Sequence, residues 1–108
     1  RKSRGCRIFI KVAKFWVEEM DIDGWRLDVC NEVDHVFWRK FREVVKETNK
    51  EVYILGEVWH DGLPWLMGDQ FDAVMNYPVT DAVKEYFCLN QSNPEDFKYM
   101  IELIRLAI

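Results

Sequence analysis

The stretch that decides the fold is "GWRLDVCNEV", residues 24–33, in which a cation and a carboxylate interrupt an otherwise apolar run. Arg26 and Asp28 stand two positions apart, so in a β-strand both side chains point to the same face. The apolar residues between and beside them then point to the other face, where they can pack beneath helices. Because a buried charge is costly unless it is paired, the two charged residues need a specific reason to be there. We predict a strand over residues 25–29 that carries this pair near its carboxyl end.

A second stretch, "EVYILGEVW" at 51–59, is rich in β-branched and apolar residues and predicts another strand, with Glu57 near its end. In parallel α/β folds, ligands bind and chemistry takes place at the carboxyl ends of the strands. Asp28 and Glu57 lie 57 − 28 = 29 positions apart, close to the roughly 30 residues of one βαβ unit. Neighbouring strands are about 4.8 Å apart, and retaining glycosidases hold two carboxyl groups ~5–5.5 Å apart. The spacing therefore favours a two-carboxylate site.

The same residues also fit a purely structural interpretation. Arg26 and Asp28 could form a structural ion pair, and Glu57 could be a helix cap or a surface acid. The residues alone leave both interpretations open.

The rest of the chain predicts helices on either side of these strands. A helix over 6–20 should bury a stripe of apolar side chains, namely Ile8, Val12, Phe15 and Trp16. A helix over about 34–48, with Asp34 as its cap, should bury another, namely Phe37, Phe41, Val44 and Val45.

After a loop over 58–70, which carries two glycines and a proline, a third strand is predicted at 71–77. A helix at about 79–88 should follow, with Pro78 in its first turn. A last helix should begin at a capping box formed by Ser92 and Glu95 and bury Phe97, Ile101, Ile104 and Ile108. Strands that alternate with helices predict parallel pairing with right-handed crossovers.

Composition narrows the classes of protein. The 108 residues are 49% hydrophobic and 31% charged, which is typical of one soluble globular domain. A net charge of −4 argues against nucleic-acid binding, and the apolar runs are too short to span a membrane. Three scattered cysteines without a C-x-x-C pair favour reduced thiols and a cytoplasmic protein. Because the chain lacks an initial methionine and stops within the helical pattern "IELIRLAI", we expect it to be a piece of a longer protein.

Two stretches carry a family resemblance. "GWRLDVCNEVDH" and "GEVWHD" resemble the motifs at the ends of the fourth and fifth strands of the α-amylase family of (β/α)₈-barrel glycoside hydrolases. "PWLMGDQFDAVMNYPVTDAV" resembles its neopullulanase, cyclomaltodextrinase and maltogenic amylase group. The resemblance runs from about Phe15 to about Val83. It implies a partial (β/α)₈ TIM barrel with about three parallel strands, barrel strands four to six, and flanking helices.

The resemblance also implies roles for three residues. Asp28 would be the nucleophile that forms a glycosyl-enzyme intermediate, and Glu57 would be the general acid/base. Arg26 would keep Asp28 ionised and correctly aimed, because a nearby guanidinium lowers the pKa of a carboxylate. Glu57 would need its pKa raised, which apolar neighbours such as Trp59 could help to supply.

Positions just after the two catalytic strands would bind substrate, namely Asn31, Glu32, Trp59 and His60. An indole suits the apolar face of a glucose ring, and the other three side chains can bond hydroxyl groups. The alternatives are that Trp59 is a packing residue and that Asn31 and Glu32 are loop or cap residues. His35 is expected to be a polar cap-region residue, and neither a metal nor a cofactor is expected.

Several features depart from the family pattern. The chain contains no counterpart of the family's third catalytic aspartate or of its histidine motif, and residues 1–7 do not match and are expected to be foreign or divergent. Three strands cannot close an eight-stranded barrel, so the isolated fragment should be inactive, and its open sheet edges could pair with another chain. The expected substrate of the parent is a cyclodextrin, pullulan, starch or maltooligosaccharide, cleaved at α-1,4 bonds, with α-1,6 bonds as a further candidate. One alternative is a non-catalytic carbohydrate-binding or structural relative. Another is an unrelated α/β domain, which would require Asp28 and Glu57 to lie far apart.

Overall fold

The structure is a computed structural model that describes residues 4–106. In chain order its main elements are α1 (Arg4–Glu18), β1 (Gly24–Leu27), α2 (His35–Thr48), β2 (Tyr53–Gly56), β3 (Ala73–Val74), α3 (Tyr77–Val83) and α4 (Pro94–Leu106). Short 3₁₀ turns lie at Cys30–Glu32 and Leu63–Trp65. Within residues 4–106, none of the helices is long and apolar enough to cross a membrane.

The three strands form one parallel sheet in the order β1-β2-β3. Gly24 pairs with Tyr53 and Leu27 with Gly56, and β3 continues the sheet through the pairing of Leu55 with Ala73. The expectation of about three parallel strands with flanking helices is confirmed. Parallel pairing brings the carboxyl ends of all three strands to one edge of the sheet.

The strands are shorter than the sequence predicts. β1 ends at Leu27 rather than at residue 29, because Val29 adopts the left-handed conformation, with φ 40° and ψ 51°. A β-branched residue rarely adopts positive φ, so this turn is strained. Asp28 therefore lies in a sharp bend rather than within the strand. The predicted strands at 51–59 and 71–77 shorten in the same way, to β2 and β3.

Helix α2 closes over the sheet much as predicted. The Asp34 carboxylate caps the helix by accepting from the Val36 N–H at 2.6 Å, and Phe41 and Val45 are buried. The predicted stripe omitted Trp38, which is also buried and whose indole N–H donates to the Cys30 carbonyl at 2.8 Å. This bond fixes the turn that follows Asp28 to the helix that covers it.

The predicted inner face of α1 is wrong. The helix buries Ala13 and Val17, whereas the predicted stripe remains at least 41% exposed, namely Ile8, Val12, Phe15 and Trp16. α1 packs mainly against α2. Small side chains allow two helices to approach closely, so the small-residue face makes this contact.

The predicted start of the last helix also needs correction. Asn93, rather than Ser92, caps α4, since its side-chain oxygen accepts from the Asp96 N–H at 2.9 Å. Pro78 lies in the first turn of α3 as expected, and the helix continues as a π-helical turn over Lys84–Cys88. The predicted inner residues of α4 are only partly buried, namely Phe97, Ile101 and Ile104, and Ile108 lies outside the described residues.

Candidate active site

The two carboxylates follow the last paired residues of neighbouring strands. Leu27 and Gly56 form that last pair, and the Glu57 N–H donates to the Leu27 carbonyl at 2.9 Å. Asp28 directly follows β1 and Glu57 directly follows β2, so the two residues lie at the same level at the carboxyl edge of the sheet. This is the edge at which α/β barrels bind ligands.

One guanidinium contacts both carboxylates. Arg26 Nη1 donates to Asp28 Oδ1 at 2.5 Å, and Arg26 Nη2 lies 2.9 Å from Glu57 Oε1. The hydrogen bond to Asp28, followed by the charges of Glu57 and Asp28, raises the pKa of Arg26 against the effect of burial. The predicted contact between Arg26 and Asp28 is therefore present, and the same cation also holds Glu57.

The two acids differ in exposure. The side chain of Asp28 is 81% accessible, whereas that of Glu57 is 9% accessible. An exposed carboxylate suits a nucleophile, which a substrate must reach, and a buried carboxylate suits an acid/base whose position is fixed by its neighbours.

Glu57 accepts hydrogen bonds from several directions. Its Oε1 accepts from the Tyr77 hydroxyl at 2.8 Å and the Trp59 indole N–H at 3.3 Å, and its Oε2 accepts from the Val29 N–H at 3.1 Å. These donors, the Tyr77 hydroxyl foremost, together with the charge of Arg26, outweigh burial and lower the pKa of Glu57 to about 2. The expectation of a raised pKa is therefore wrong. Trp59 acts through its polar N–H rather than as an apolar wall.

The predicted substrate-binding residues lie on the turns beyond the strands. Asn31 and Glu32 are exposed in the 3₁₀ turn after Asp28. Trp59 is 63% exposed beside Glu57, which leaves most of its indole surface open to a ligand. His60 is exposed, and its Nδ1 lies 3.2 Å from the Asp61 carbonyl.

His35 belongs to the scaffold. Its Nδ1 lies 2.7 Å from Oε1 of the buried Gln70, whose amide nitrogen in turn donates to the Pro64 carbonyl at 3.1 Å. This network ties the start of α2 to the loop that follows β2. Among residues 4–106, no three His, Cys, Asp or Glu side chains come together in a way that could hold a metal ion.

Gly56 and Cys30 support the backbone beneath Glu57. A Cβ on Gly56 would lie 2.5 Å from the Phe71 ring and 2.9 Å from the Cys30 sulfur, so only glycine fits. The buried Cys30 thiol donates to the Glu57 carbonyl at 3.2 Å. Burial raises the pKa of this thiol to about 11, so it stays protonated and serves as a packing residue.

The chain also matches a known protein family in sequence. The sequence profile described as "Alpha amylase, catalytic domain" matches residues 5–106. The chain belongs to the α-amylase family. Membership excludes the alternative of an unrelated α/β domain.

Relatives in this family carry names of the group predicted above. The chain is 57% identical over 91 residues to a cyclomaltodextrinase from Geobacillus thermopakistaniensis (strain MAS1), which covers 84% of this chain and 16% of that protein. It is 57% identical over 81 residues to an intracellular maltogenic amylase from Bacillus subtilis (strain 168), covering 75% and 14%. It is 56% identical over 86 residues to neopullulanase 2 from Thermoactinomyces vulgaris, covering 80% and 14%. The chain thus spans about a sixth of the length of these α-amylase family members.

Solved structures of the α-amylase family match the fold. A cyclomaltodextrinase structure superposes with a TM-score of 0.86 at 55% identity, covering 89% of this chain and 16% of that one. A cyclic α-maltosyl-(1→6)-maltose hydrolase from Arthrobacter globiformis, in complex with cyclic α-maltosyl-(1→6)-maltose, superposes with a TM-score of 0.92 at 31% identity, covering 95% and 23%. The three strands therefore correspond to part of the family's TIM barrel.

One residue that contacts Glu57, Tyr77, is not among the site residues predicted from the sequence. Tyr77 follows β3 by three positions and begins α3, and its hydroxyl contacts Glu57. The rule that pointed to Asp28 and Glu57, polar groups just beyond the ends of parallel strands, would also have pointed to Tyr77. Asn76, the residue before Tyr77, caps α3 by accepting from the Val79 N–H at 3.1 Å.

Proposed function

We propose that this chain is the part of an α-glucan hydrolase that carries both catalytic carboxylates, and that the enzyme retains anomeric configuration. Asp28 is the nucleophile and Glu57 the general acid/base. The observation that carries the proposal is the contact of both acids with one guanidinium, at the ends of adjacent parallel strands in an α-amylase family member. Retaining glycosidases use two carboxyl groups held close together in this way.

In the first step Glu57 gives its proton to the glycosidic oxygen while an Asp28 oxygen bonds to the anomeric carbon. The bond between that carbon and the glycosidic oxygen breaks, and the leaving sugar departs with the proton. In the second step water gives a proton to Glu57 and its oxygen to the anomeric carbon, and the ester to Asp28 breaks. Arg26 supports this sequence because its charge keeps an aspartate nucleophile ionised. The reaction needs no metal or cofactor.

The low pKa of Glu57 constrains this cycle. A carboxyl group with a pKa of about 2 is ionised at neutral pH, which suits the step in which it activates water. The first step requires the protonated form, so substrate binding must weaken at least one of the donors that hold the carboxylate. Trp59 is the donor most open to a sugar, because it is 63% exposed and its 3.3 Å bond to Glu57 is long.

The substrate class follows from the relatives. The names cyclomaltodextrinase, neopullulanase and maltogenic amylase support cyclodextrins, pullulan and starch or maltooligosaccharides as substrates with α-1,4 bonds. The name cyclic α-maltosyl-(1→6)-maltose hydrolase supports cleavage at α-1,6 bonds as well. Asn31, Glu32, Trp59 and His60 would bind sugar on the turns beyond the two catalytic strands. The name of the intracellular Bacillus subtilis relative supports a cytoplasmic location.

The 108 residues are proposed to be one piece of a (β/α)₈ catalytic domain, with residues 1–7 foreign or divergent. Three strands leave both edges of the parallel sheet open, so the isolated chain should lack activity and could self-associate through those edges. Incubating it with cyclodextrin, pullulan and starch and measuring reducing ends tests this. Turnover that Asp28→Asn removes would contradict the expected inactivity.

A chimera tests the proposed function itself. The segment of the Geobacillus thermopakistaniensis cyclomaltodextrinase that matches this chain is replaced with this sequence, and hydrolysis of cyclodextrin is measured. We expect activity in the chimera, and a loss of about 10²–10⁴-fold in kcat for Glu57→Gln, the range for an acid/base. Asp28→Asn should lose at least as much, and Asp69→Asn, a surface change, should lose little. A folded chimera that keeps its activity with Asp28→Asn would overturn the proposal, and a folded but inactive chimera would favour a non-catalytic carbohydrate-binding relative.

A further inference from the structure

The two oxygens of Glu57 are unequally occupied. Oε1 accepts from the Tyr77 hydroxyl at 2.8 Å, contacts Arg26 Nη2 at 2.9 Å, and accepts from the Trp59 indole at 3.3 Å. Oε2 accepts from one donor, the Val29 N–H at 3.1 Å. A carboxylate offers about four lone-pair sites over its two oxygens. Oε1 is therefore fully used, and Oε2 keeps a free lone pair.

We propose that Tyr77 is a positioning residue that anchors Glu57 through Oε1, so that the catalytic proton is carried on Oε2. This inference rests on the proposed function and names the atom that performs its proton transfers. In the first step the Oε2–H bond breaks and the proton passes to the glycosidic oxygen. In the second step a water proton bonds to Oε2. The Tyr77 hydroxyl keeps its own proton throughout, since it only donates a hydrogen bond.

Geometry makes Tyr77 the strongest neutral anchor. Its bond is 0.5 Å shorter than that of Trp59 to the same oxygen, taking 3.3 − 2.8. Tyr77 comes from the start of α3, whereas Arg26 lies in β1 and Val29 in the turn after it, so the carboxylate is held from two sides. The contact with Glu57 raises the pKa of Tyr77, which keeps its phenol protonated at neutral pH.

The charged and titratable groups that face Glu57 come from three elements. Arg26 lies in β1, Asp28, which Arg26 pairs with, lies in the bend just after it, Cys30 lies in the 3₁₀ turn that follows, and Tyr77 begins α3. Cys30 stays a neutral thiol because burial raises its pKa to about 11. Removal of the Tyr77 hydroxyl leaves the other three in place, so a change in Glu57 titration can be assigned to the lost hydrogen bond.

The first test is a ¹³C NMR titration of this 108-residue chain labelled at glutamate side chains. The Glu57 signal is the one that Glu57→Gln removes. We expect the Glu57 midpoint, about 2 in the unaltered chain, to rise by about one to two pH units in Tyr77→Phe, as loss of one hydrogen bond to a charged group implies. Tyr53→Phe, at the other end of β2, is the matched control and should leave it unchanged.

A reciprocal measurement does not depend on the fold of Tyr77→Phe. Glu57→Gln should lower the titration midpoint of Tyr77, followed in tyrosine-labelled chain, because coupling between two groups acts equally on both. The site of protonation is read from two reporter N–H signals. On acidification, the Val29 amide, which bonds Oε2, should shift more than the Trp59 indole, which bonds Oε1.

Three results would overturn the inference. They are an unchanged Glu57 midpoint in folded Tyr77→Phe, an unchanged Tyr77 midpoint in Glu57→Gln, and a Trp59 indole that shifts more than the Val29 amide. None of these measurements uses turnover. The proposed role of Tyr77 can therefore be contradicted while the chimera is active, or supported while the chimera is inactive. The two proposals are tested separately.

Discussion

The sheet unit (residues 24–74, with α2 over the sheet) and the C-terminal helices (residues 77–106) bury very different amounts of apolar surface. Among the residues described, the sheet unit holds most of the buried hydrophobic side chains, including Trp38, Phe41 and Ile54. The C-terminal helices bury Ala82 alone, and α4 buries none of its residues Pro94–Leu106. Both have amphipathic helices, so a helical pattern by itself does not guarantee burial; a surface to pack on is also needed.

The two regions also differ in how their aromatic rings pack. In the sheet unit, Phe41 of α2 meets Trp25 of β1 and Trp38 of α2 edge-on, with centroids 5.8 and 5.5 Å apart, and Phe41 and Trp38 are buried. In the C-terminal helices, Phe97 stacks on Tyr86 at 4.8 Å, but these rings remain only partly buried. We therefore expect the sheet unit to set the global stability and the C-terminal helices to open locally.

The largest effect should come from Phe41→Ala. The ring is 4% exposed and joins α2 to the sheet, so the free energy of unfolding should fall by about 3–5 kcal/mol. Urea denaturation followed by tryptophan fluorescence measures it. Phe97→Ala, the matched control in the C-terminal helices, should cost clearly less, and equal losses would contradict the proposed difference between the two regions.

Asp72→Asn should have the next largest effect. Asp72 accepts from Lys46 at 2.8 Å, from Arg42 at 2.9 Å and from the Ile54 N–H at 2.9 Å, so it fastens α2 to the sheet. Loss of hydrogen bonds to a charged group should cost about 1.5–3 kcal/mol. Asp69→Asn removes a pair with Arg39 in which both side chains are about half exposed, and it should cost ~0–1 kcal/mol. If Asp72→Asn and Asp69→Asn lowered the free energy of unfolding by similar amounts, the stabilising role of Asp72 between α2 and the sheet would be contradicted.

Asn93→Ala tests the stability of the C-terminal helices separately from that of the sheet unit. It removes the cap of α4, which should cost about 1 kcal/mol of helix stability. Hydrogen exchange should quicken at α4 amides and stay unchanged in β2, because the C-terminal helices open separately. Ser92→Ala is the control, since Asn93 provides the cap; a larger effect at Ser92 would restore the capping box that the sequence predicts.

The subtlest effect is a difference in pH dependence. The pKa of Glu57 is lowered from its ordinary value near 4.5 to about 2, so the unfolded chain binds more protons than the folded chain between these values. The contribution of Glu57 is complete above pH 4.5 and is lost as pH falls toward 2. Glu57→Gln should therefore lose less stability than the unaltered chain on acidification from pH 5 to pH 3, measured by denaturant midpoints.

Asp69 and Asp72 also have lowered pKa values, because of their contacts with Arg39 and Lys46 respectively, the latter against the opposing effect of burial. Both carboxylates are present in the unaltered chain and in Glu57→Gln, so they contribute equally to the loss of stability with falling pH in both proteins. Only the difference between the two proteins in that loss reports on Glu57. If the unaltered chain and Glu57→Gln lost the same stability between pH 5 and pH 3, the lowered pKa of Glu57 would be contradicted.

Local sequence signals predicted the sheet unit well, because its charges and turns are encoded within a few residues. The positions of Asp28 and Glu57, the parallel order and the Asp34 cap all follow from strand periodicity and capping chemistry. The buried face of α1 could not be predicted in this way. Its periodicity allows more than one apolar stripe, and packing against α2 selected the stripe with the smallest side chains, Ala13 and Val17.

The environment of Glu57 depends on contacts across long separations. Tyr77 reaches it from 20 residues away and the Val29 N–H from 28, and the latter is aimed by a backbone bend that β-branched residues rarely adopt. The nearby apolar residues suggested a raised pKa, but four directional donors outweigh them. Composition near a group predicts its burial, whereas donor geometry decides its charge.

Arg26 ties two acids to a single positive charge, and the proposed mechanism never needs both acids ionised at once. When Glu57 holds the proton, the guanidinium neutralises Asp28. Once Asp28 is esterified, it has no charge, and the same guanidinium neutralises the ionised Glu57. The net charge of Arg26, Asp28 and Glu57 is zero at both stages. The negative charge moves from Asp28 to Glu57, while the Arg26 guanidinium stays in contact with both.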